Sequence, residues 1–169
     1  MANSLQQIQA KTVGAAHAVK AGFNGLRGVF LHLAEEHGEV GSLMRRVLKS
    51  PDPKVRREHY PQIRRELLAH ERGEVTAVYP VLAQHPETRG LALAHDREAE
   101  ELEAAIAAVD AIDFTAPAWG VAFEHVYNLV QRHVQEEEDE IFPKAQDALG
   151  EEESEALLGR YESAKRQVE

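Results

Sequence analysis

The sequence contains no cysteine, which excludes disulfide bonds, thiolate zinc sites and iron–sulfur clusters. It contains no apolar run long enough to cross a membrane, so we expect no membrane-spanning segment. Its first residues lack a basic stretch followed by an apolar one, which predicts no secretory signal and a cytoplasmic location. The net charge of −10 at pH 7 argues against nucleic acid as a partner.

Signals for β-strands are also lacking, because Val and Ile are scattered rather than placed in alternating runs. Ala, Leu, Glu and Arg, which favour helices, dominate instead. The 169 residues, 43% of them apolar, suit a single domain with a real core. The sequence therefore predicts an all-α protein.

Apolar periodicity predicts four long helices with a further helix at each end of the chain. The long helices are expected at about 26–49, 53–84, 87–110 and 117–149, and the flanking ones at 4–20 and 151–168. Short loops force neighbouring helices to be antiparallel, so we expect an up-down-up-down four-helix bundle. The bundle is assigned to residues 26–149, a helical extension to 1–25, and a C-terminal helix packed on the bundle to 150–169.

Turn and capping residues set the predicted boundaries. Asp52 is expected to cap the helix at 53–84, Thr115 to cap the helix at 117–149, and Gly150 to end it. Pro61 should kink its helix or mark a late start, and Pro143 should kink the other. The last helix is expected to bury the face made of Ala156, Leu157, Tyr161 and Ala164.

One pattern occurs twice, 63 residues apart: His, then Glu four residues later, then an aromatic residue and Pro. Residues four apart lie on one face of a helix, with a rise of roughly 6 Å between them. Each copy therefore presents an imidazole beside a carboxylate. The first copy is His70, Glu74 and Tyr79-Pro80, and the second is His133, Glu137 and Phe142-Pro143.

A histidine lies on or near the apolar stripe of each long helix. His37 and His70 are 33 residues apart, and His95 and His133 are 38 apart, which in antiparallel hairpins brings each pair to a similar height. Four imidazoles and two carboxylates would then converge and could hold one or two transition-metal ions. Four other histidines lack a carboxylate at ligand spacing and are expected to be structural or on the surface: His17, His59, His85 and His125. His32 lies about 140° round the helix from His37 and is not expected to be a ligand.

With these residues and offsets, the chain resembles the hemerythrin family over about residues 26–148, in the broad branch called the hemerythrin HHE cation-binding domain. The resemblance implies a non-heme di-iron centre in which carboxylates bridge two iron ions, with Glu74 and Glu137 as the bridging candidates. Imidazole and carboxylate ligands suit iron, and manganese or zinc can substitute. The implied metal ligands are His37, His70, Glu74, His95, His133 and Glu137.

The chain departs from the oxygen-carrying members of that family in two places. Those members have a second histidine four residues after the first on the third bundle helix, where this chain has Ala99. They also place the last acid five residues after its histidine, a position that Glu138 occupies here beside Glu137. Glu137 is favoured because it repeats the spacing of the first copy, and Glu71 is a candidate to replace the missing imidazole.

By resemblance, the function is that of a hemerythrin-like di-iron protein that binds O2, NO or peroxide. Sensing, storage or detoxification is favoured over oxygen transport, because Ala99 cannot supply the fifth imidazole. The alternative is a di-iron enzyme with catalase-like, peroxidase-like or NO-reducing activity. The terminal helices could form a homodimer surface.

Overall fold

The computed structural model describes residues 9–16 and 25–167, and within these ranges it contains helices and no strand. The all-α prediction is confirmed. None of the described helices is both long and apolar enough to cross a membrane. The helices are α1 (9–16), α2 (Gly28–Leu48), α3 (Pro53–Gly73), α4 (Tyr79–Leu82), α5 (Arg89–Asp110), α6 (Pro117–Glu136) and α7 (Phe142–Lys165).

Two short π-helical segments interrupt what the sequence predicts as continuous helices. Glu74–Val78 joins α3 to α4, and Glu137–Ile141 joins α6 to α7. Most of the predicted N-terminal extension lies outside the described residues, and so does His17. The division of the chain at residues 25 and 149 and the up-down-up-down order stay predictions.

The capping predictions have mixed outcomes. The Asp52 side chain accepts a hydrogen bond from the Lys54 amide at 2.9 Å, so α3 begins where predicted and continues through Pro61 without a late start. The predicted cap by Thr115 is wrong. The Asp113 carboxylate accepts hydrogen bonds from both the amide and the hydroxyl of Thr115, at 2.8 and 2.5 Å, because an Asp two residues upstream forms its own turn.

The C-terminal helix α7 bends at Gly150, whose φ of 78° ends the regular helix as predicted. Its buried face includes Leu157 and Tyr161, but Ala156 is exposed, contrary to the prediction. Ser154 takes its place, because positions three and seven residues apart share one face of a helix. The Ser154 hydroxyl donates a hydrogen bond to the carbonyl of Arg27 at 2.9 Å and so ties α7 to the start of α2.

The apolar core forms two clusters along the helices. On α2, Ala34 belongs to one cluster and Val40 to the other. Val130 of α6 belongs to the same cluster as Val40, and Ile141 of the following π segment belongs to the same cluster as Ala34. Between the two clusters lie buried polar residues of α2, α3, α5 and the two π segments, namely His37, Glu71, His95, Glu74 and Glu137. The fold therefore encloses a polar layer between two apolar layers, and that layer holds the candidate site.

Candidate metal centre

Both π-helical segments begin at the glutamate of the repeated pattern. The Tyr79 amide donates to the Glu74 carbonyl, and the Phe142 amide donates to the Glu137 carbonyl, each five residues back. The proline that follows each aromatic residue has no N–H, so the ordinary α-helical bond cannot continue there. Glu74 and Glu137 have no exposed surface. π-Helical turns of this kind often occur at functional sites.

One group of potential ligand atoms is formed by residues from α2, α3 and both π segments. The group consists of one atom each from His37, His70, Glu74 and Glu137, all within 4.8 Å of one another. Nε2 of His37 lies 3.2 Å from Oε2 of Glu137 and 3.2 Å from Nε2 of His70. Nε2 of His70 lies 3.5 Å from Oε2 of Glu74.

A second group shares Glu74 with the first. Its other members are Glu71, His95 and His133, with one atom of each again within 4.8 Å of the rest. Nε2 of His95 lies 3.3 Å from Oε1 of Glu71 and 3.4 Å from Oε2 of Glu74. Nε2 of His133 lies 3.6 Å from Oε2 of Glu74 and 3.3 Å from Oε2 of Glu137. Both repeat glutamates therefore contact histidines of both groups.

Three of the four histidines have a carboxylate on the ring nitrogen that points away from the groups. Nδ1 of His37 lies 2.9 Å from Glu138, and Nδ1 of His70 lies 2.9 Å from Glu36. Nδ1 of His133 lies 3.5 Å from Glu98. Such outer carboxylates fix the ring orientation and make the inner nitrogen a better metal ligand.

The aromatic residues of the two repeats cover the remaining sides of the centre. The Tyr79 ring stacks on His95 with a centroid distance of 3.5 Å, and the Phe142 ring stacks on His37 at 5.8 Å. The Tyr79 hydroxyl also donates a hydrogen bond to Oε1 of Glu137 at 2.6 Å. Phe142 has no hydroxyl, so the two copies are not equivalent. The second oxygen of Glu137 stays directed at the histidines.

Charges in the centre shift the pKa values of its members in opposite directions. Burial lowers the pKa of His70, but the carboxylates of Glu74 and Glu36 outweigh it and raise that pKa to about 10. Burial raises the pKa of Glu74, but the imidazole neighbours, led by His70, hold it well below its usual range. Burial and the charge of Glu74 raise the pKa of Glu71 to about 7. In the absence of a metal, protons on the imidazoles therefore balance the carboxylates, and a bound cation would replace them.

The distribution of unpartnered atoms fits a metal ion. Within the described part of the chain, the buried side-chain atoms without a hydrogen bond fall almost entirely in the two groups, the exception being Nδ1 of His59. Buried polar atoms are rarely left unpaired in proteins unless an ion or water satisfies them. The unpaired atoms of the centre are Oε1 of Glu71, both carboxylate oxygens of Glu74, both ring nitrogens of His95, Nε2 of His133 and Oε2 of Glu137.

The structure brings together all six residues proposed as ligands from the sequence, and Glu71 with them. Glu138 lies outside the two groups, on the outer nitrogen of His37. His32 contacts Glu36 at 3.0 Å and belongs to neither group. Glu71 belongs to the second group, and Ala99 of α5 lines a hollow beside it.

Sequence reasoning missed Glu36 and Glu98 and did not assign Glu138 its outer position on His37. Glu36 contacts Nδ1 of His70, and its carboxylate also accepts hydrogen bonds from Tyr161 at 2.5 Å and from Lys165. These contacts join α2 to α7 across more than 120 residues, which no local pattern reveals. Glu36 directly precedes His37 in the sequence, and this adjacency was the one feature that could have indicated a role for Glu36 at the site. Tyr79 lay within the repeated pattern, but nothing in the sequence assigned a role to its hydroxyl.

A cavity of about 240 Å³ opens beside the centre. It reaches His37, His70 and His133, and its apolar wall includes Val40 and Val130. The cavity is large enough for a small ligand to approach the imidazoles. Its other lining residues include the acids Glu36, Glu39 and Glu66 and the base Lys165, so the cavity has both apolar and charged walls.

The family described as hemerythrin HHE cation binding domain matches residues 28–145. The chain is also similar to a curated protein named DNA nickase from Nostoc sp. (strain PCC 7120 / SAG 25.82 / UTEX 2576), with 25% identity over 134 residues. That similarity covers 79% of this chain and 38% of the relative, so the chain spans well under half of the relative's length. No solved structure matches the chain.

Proposed function

This chain belongs to the hemerythrin HHE cation-binding domain family, and we propose that it holds two iron ions and binds O2, NO or peroxide beside them. The observation that carries the proposal is the pair of ligand groups that share Glu74. Each group offers two imidazoles and two carboxylates, a set that suits iron or manganese better than zinc. Manganese or zinc can substitute.

The proposed ligands are His37, His70, Glu74, His95, His133 and Glu137, with Glu71 added to the second group. Glu74 and Glu137 would each bridge the two ions, since each contacts histidines of both groups. Glu138 would act through His37 as an outer carboxylate. When bound, iron would supply an open coordination position and electrons for a small ligand.

The residues around the centre would control the access of protons and solvent. The Tyr79 hydroxyl holds one oxygen of Glu137, which leaves the other for the histidines. Glu36 holds the His70 ring, and Tyr161 holds Glu36. The cavity beside the centre, with Val40, Val130 and Val134 in its wall, would give a small ligand a path to the imidazoles. Sensing, storage or detoxification fits this enclosed centre better than oxygen transport.

The test is anaerobic loading of the metal-free protein with ferrous iron, followed by optical spectra after separate additions of O2, NO and hydrogen peroxide. We expect about two irons per chain, in line with two ligand groups, and a spectral change with at least one of the three ligands. A protein that loads iron but gives unchanged spectra with all three would contradict the proposed ligand class.

A second candidate function is turnover of peroxide or NO at the same centre. It is favoured by Glu71, because a carboxylate in place of an imidazole stabilises ferric over ferrous iron. Oxygen evolution from hydrogen peroxide by the iron-loaded protein, or NO consumption under anaerobic conditions, would support it. Glu71→Gln is the informative variant, since it keeps the size of the side chain and removes the charge.

We propose no nucleic-acid partner for this chain, although it is similar to a protein named DNA nickase. The net charge of −10 opposes binding to a polyanion. Conversion of supercoiled plasmid to open circles by the iron-loaded protein would overturn this.

We also propose a cytoplasmic location and a homodimer formed through the terminal helices. Sedimentation of the metal-loaded chain tests for the dimer.

A further inference from the structure

The part of α7 that follows Gly150, residues 151–165, forms a helical arm beside the centre. Gly150 has φ 78° and ψ 176°, so the helix is interrupted there and the arm packs separately from the first part of α7. Two large side chains of the arm, Leu157 and Tyr161, are fully buried, together with the smaller Ser154 and Ala164. A short helix that is held by few buried side chains opens more easily than the core of a protein.

Two polar side chains of the arm converge on Glu36 of α2. The Tyr161 hydroxyl donates a hydrogen bond to Oε2 of Glu36 at 2.5 Å, and the Lys165 ammonium donates one to Oε1. His32, on the same helix as Glu36, also contacts Oε1 at 3.0 Å. The Glu36 side chain is 19% exposed, so without the arm its carboxylate could exchange these contacts for water.

Glu36 carries these contacts to the outer nitrogen of His70. Oε2 of Glu36 lies 2.9 Å from Nδ1 of His70, and the Tyr161 hydroxyl oxygen lies 3.0 Å from the same nitrogen. When a metal ion occupies Nε2, Nδ1 carries the proton and donates it to a carboxylate, which makes Nε2 a stronger ligand. The contacts therefore run without a gap from the arm to a nitrogen of the first ligand group.

The position of the Tyr161 hydroxyl depends on how the whole arm is docked. The Tyr161 ring lies edge-on to the His70 ring, with a centroid distance of 6.1 Å. Its other contact is with the end of α3, where a Cβ atom on Gly73 would lie 2.5 Å from the ring. A ring packed this closely cannot keep its hydroxyl on Glu36 if the arm moves away.

Within the described residues, the outer contacts of the other three ligand histidines come from outside the arm. Nδ1 of His37 contacts Glu138 of the second π segment, and Nδ1 of His133 contacts Glu98 of α5. Nδ1 of His95 has no hydrogen-bond partner there. The arm therefore acts on one histidine of the first ligand group and on none of the second group.

We propose that Tyr161 and Lys165 are positioning residues for the metal ion of the first ligand group, and that they couple the occupancy of this group to the docking of the arm. The inference rests on the metal centre of the proposed function and adds its regulation. Coupling is reciprocal: if the docked arm strengthens the binding of the ion, the bound ion stabilises the docked arm equally. The arm thereby transmits the state of the first ion to the surface of the molecule.

The experiment measures the release of Co²⁺ from the full-length protein, loaded with two ions per chain, into excess EDTA. Visible absorption follows the bound ion. Tyr161→Phe keeps the ring and removes the hydroxyl. We expect about half of its cobalt to leave about 10-fold faster than from wild type, the lower end of the range for a lost outer contact, and the other half to leave at the wild-type rate.

The matched control is Tyr60→Phe. Tyr60 is also buried, and its hydroxyl donates a hydrogen bond to Asp110 at 2.8 Å in the other apolar cluster. Its substitution should therefore leave both rates of cobalt release unchanged. Lys165→Met provides a second test variant that keeps Tyr161, and it should accelerate the same half of the release as Tyr161→Phe does.

A double-mutant cycle separates positioning from general loosening of the fold. Glu36→Gln should accelerate the same half of the release, and Tyr161→Phe in that background should add little, because the hydroxyl acts through Glu36. Glu98→Gln should accelerate the other half, since Glu98 contacts His133 of the second group. Effects of Glu36→Gln and Tyr161→Phe that simply add would show that Tyr161 has a structural role alone.

Amide hydrogen exchange tests the reciprocal effect. Bound cobalt should slow the exchange of residues 151–165 in the wild-type protein and in Tyr60→Phe, and this protection should be lost in Tyr161→Phe. The inference is overturned if Tyr161→Phe accelerates the release of both ions equally or of neither, or if exchange in the arm is the same with and without metal. Failure of the wild-type protein to hold two cobalt ions per chain would instead contradict the proposed function.

Discussion

Glu74 has one oxygen, Oε2, within 3.6 Å of nitrogens from three histidines: His70, His95 and His133. Glu137 contacts His37 and His133 in the same way, at 3.2 and 3.3 Å. Glu74 and Glu137 therefore contact more of the four candidate ligand histidines than the other acids nearby do. Glu138, one residue later, contacts the outer nitrogen of His37 at 2.9 Å and belongs to neither ligand group.

We predict that Glu74→Gln and Glu137→Gln each lose most of the bound metal, because each removes a charged oxygen shared by both ligand groups. Glutamine keeps the size of the side chain, so a loss reports ligation rather than a cavity. Glu136→Gln is the control, since Glu136 is exposed on the same helix. Elemental analysis of purified protein is the measurement. Full metal in Glu137→Gln together with loss in Glu138→Gln would assign the bridge to Glu138.

Ala99 leads to a prediction about oxygen. Glu71 is the carboxylate beside His95, and an anionic ligand stabilises ferric over ferrous iron. We therefore expect the iron-loaded, reduced protein to be oxidised rapidly in air, and Ala99→His to be oxidised more slowly. Ala104→His is the control, because Ala104 is an exposed position of α5. The measurement is the remaining ferrous iron against time in air. A wild-type oxygen adduct that persists for hours and gives back its oxygen under vacuum, with the ferrous iron restored, would contradict the argument.

At the scale of secondary-structure elements, the sequence predicted the helices. It also predicted that His and Glu of each repeat lie on the same helix face, because both features follow from local periodicity. It did not predict the π-helical segments, although Pro80 and Pro143 were visible, since proline shows where an α-helical bond is lost and not how the backbone responds. Nor did it predict that α7 would deliver Tyr161 to Glu36, a contact between residues 125 apart. Contacts of that kind depend on the packing of whole helices.

The end of α3 must lack a side chain for α7 to pack there. A Cβ atom on Gly73 would lie 2.5 Å from the Tyr161 ring and 3.0 Å from the Lys165 side chain. Gly73→Ala should therefore lower the free energy of unfolding by about 1–3 kcal/mol, the usual cost of overpacking. It should also loosen the contacts of Glu36 with Tyr161 and Lys165.

Gly159→Ala on α7 is the matched control for this substitution, because nothing lies within 4 Å of its added Cβ. It should be neutral or stabilising by about 0.5–1 kcal/mol, since alanine favours a helix more than glycine does. Urea denaturation of both variants is the measurement. Equal stability of Gly73→Ala and wild type would show that α7 does not pack on α3 as described.

At the scale of the whole molecule, a buried polar layer divides the apolar core into two clusters. Without a metal, that layer is held by ion pairs whose imidazoles carry protons, as the raised pKa of His70 indicates. Stability of the metal-free protein is therefore linked to pH. The pKa values of His37, His95 and His133 are also raised, because their carboxylate contacts outweigh burial.

The folded pKa of His70, about 10, lies above the ordinary value of 6.5. Its stabilising contribution is therefore complete below pH 6.5 and is lost as the pH rises through about 10. We predict that the melting temperature of the metal-free protein falls over this interval. The metal-loaded protein should show a smaller fall, because the ion has already displaced the protons. Parallel melting curves for the two forms, or a rise for the metal-free form, would contradict the assignment.

The central claim is that the polar layer holds two metal ions through ligands from α2, α3, α5, α6 and both π segments. The most direct measurement is the metal content of protein purified from iron-replete cells, combined with reconstitution of the metal-free chain under anaerobic conditions. Two ligand groups that share Glu74 predict about two irons per chain in both preparations. A single tightly bound zinc per chain, or no bound metal after reconstitution of a folded protein, would contradict it.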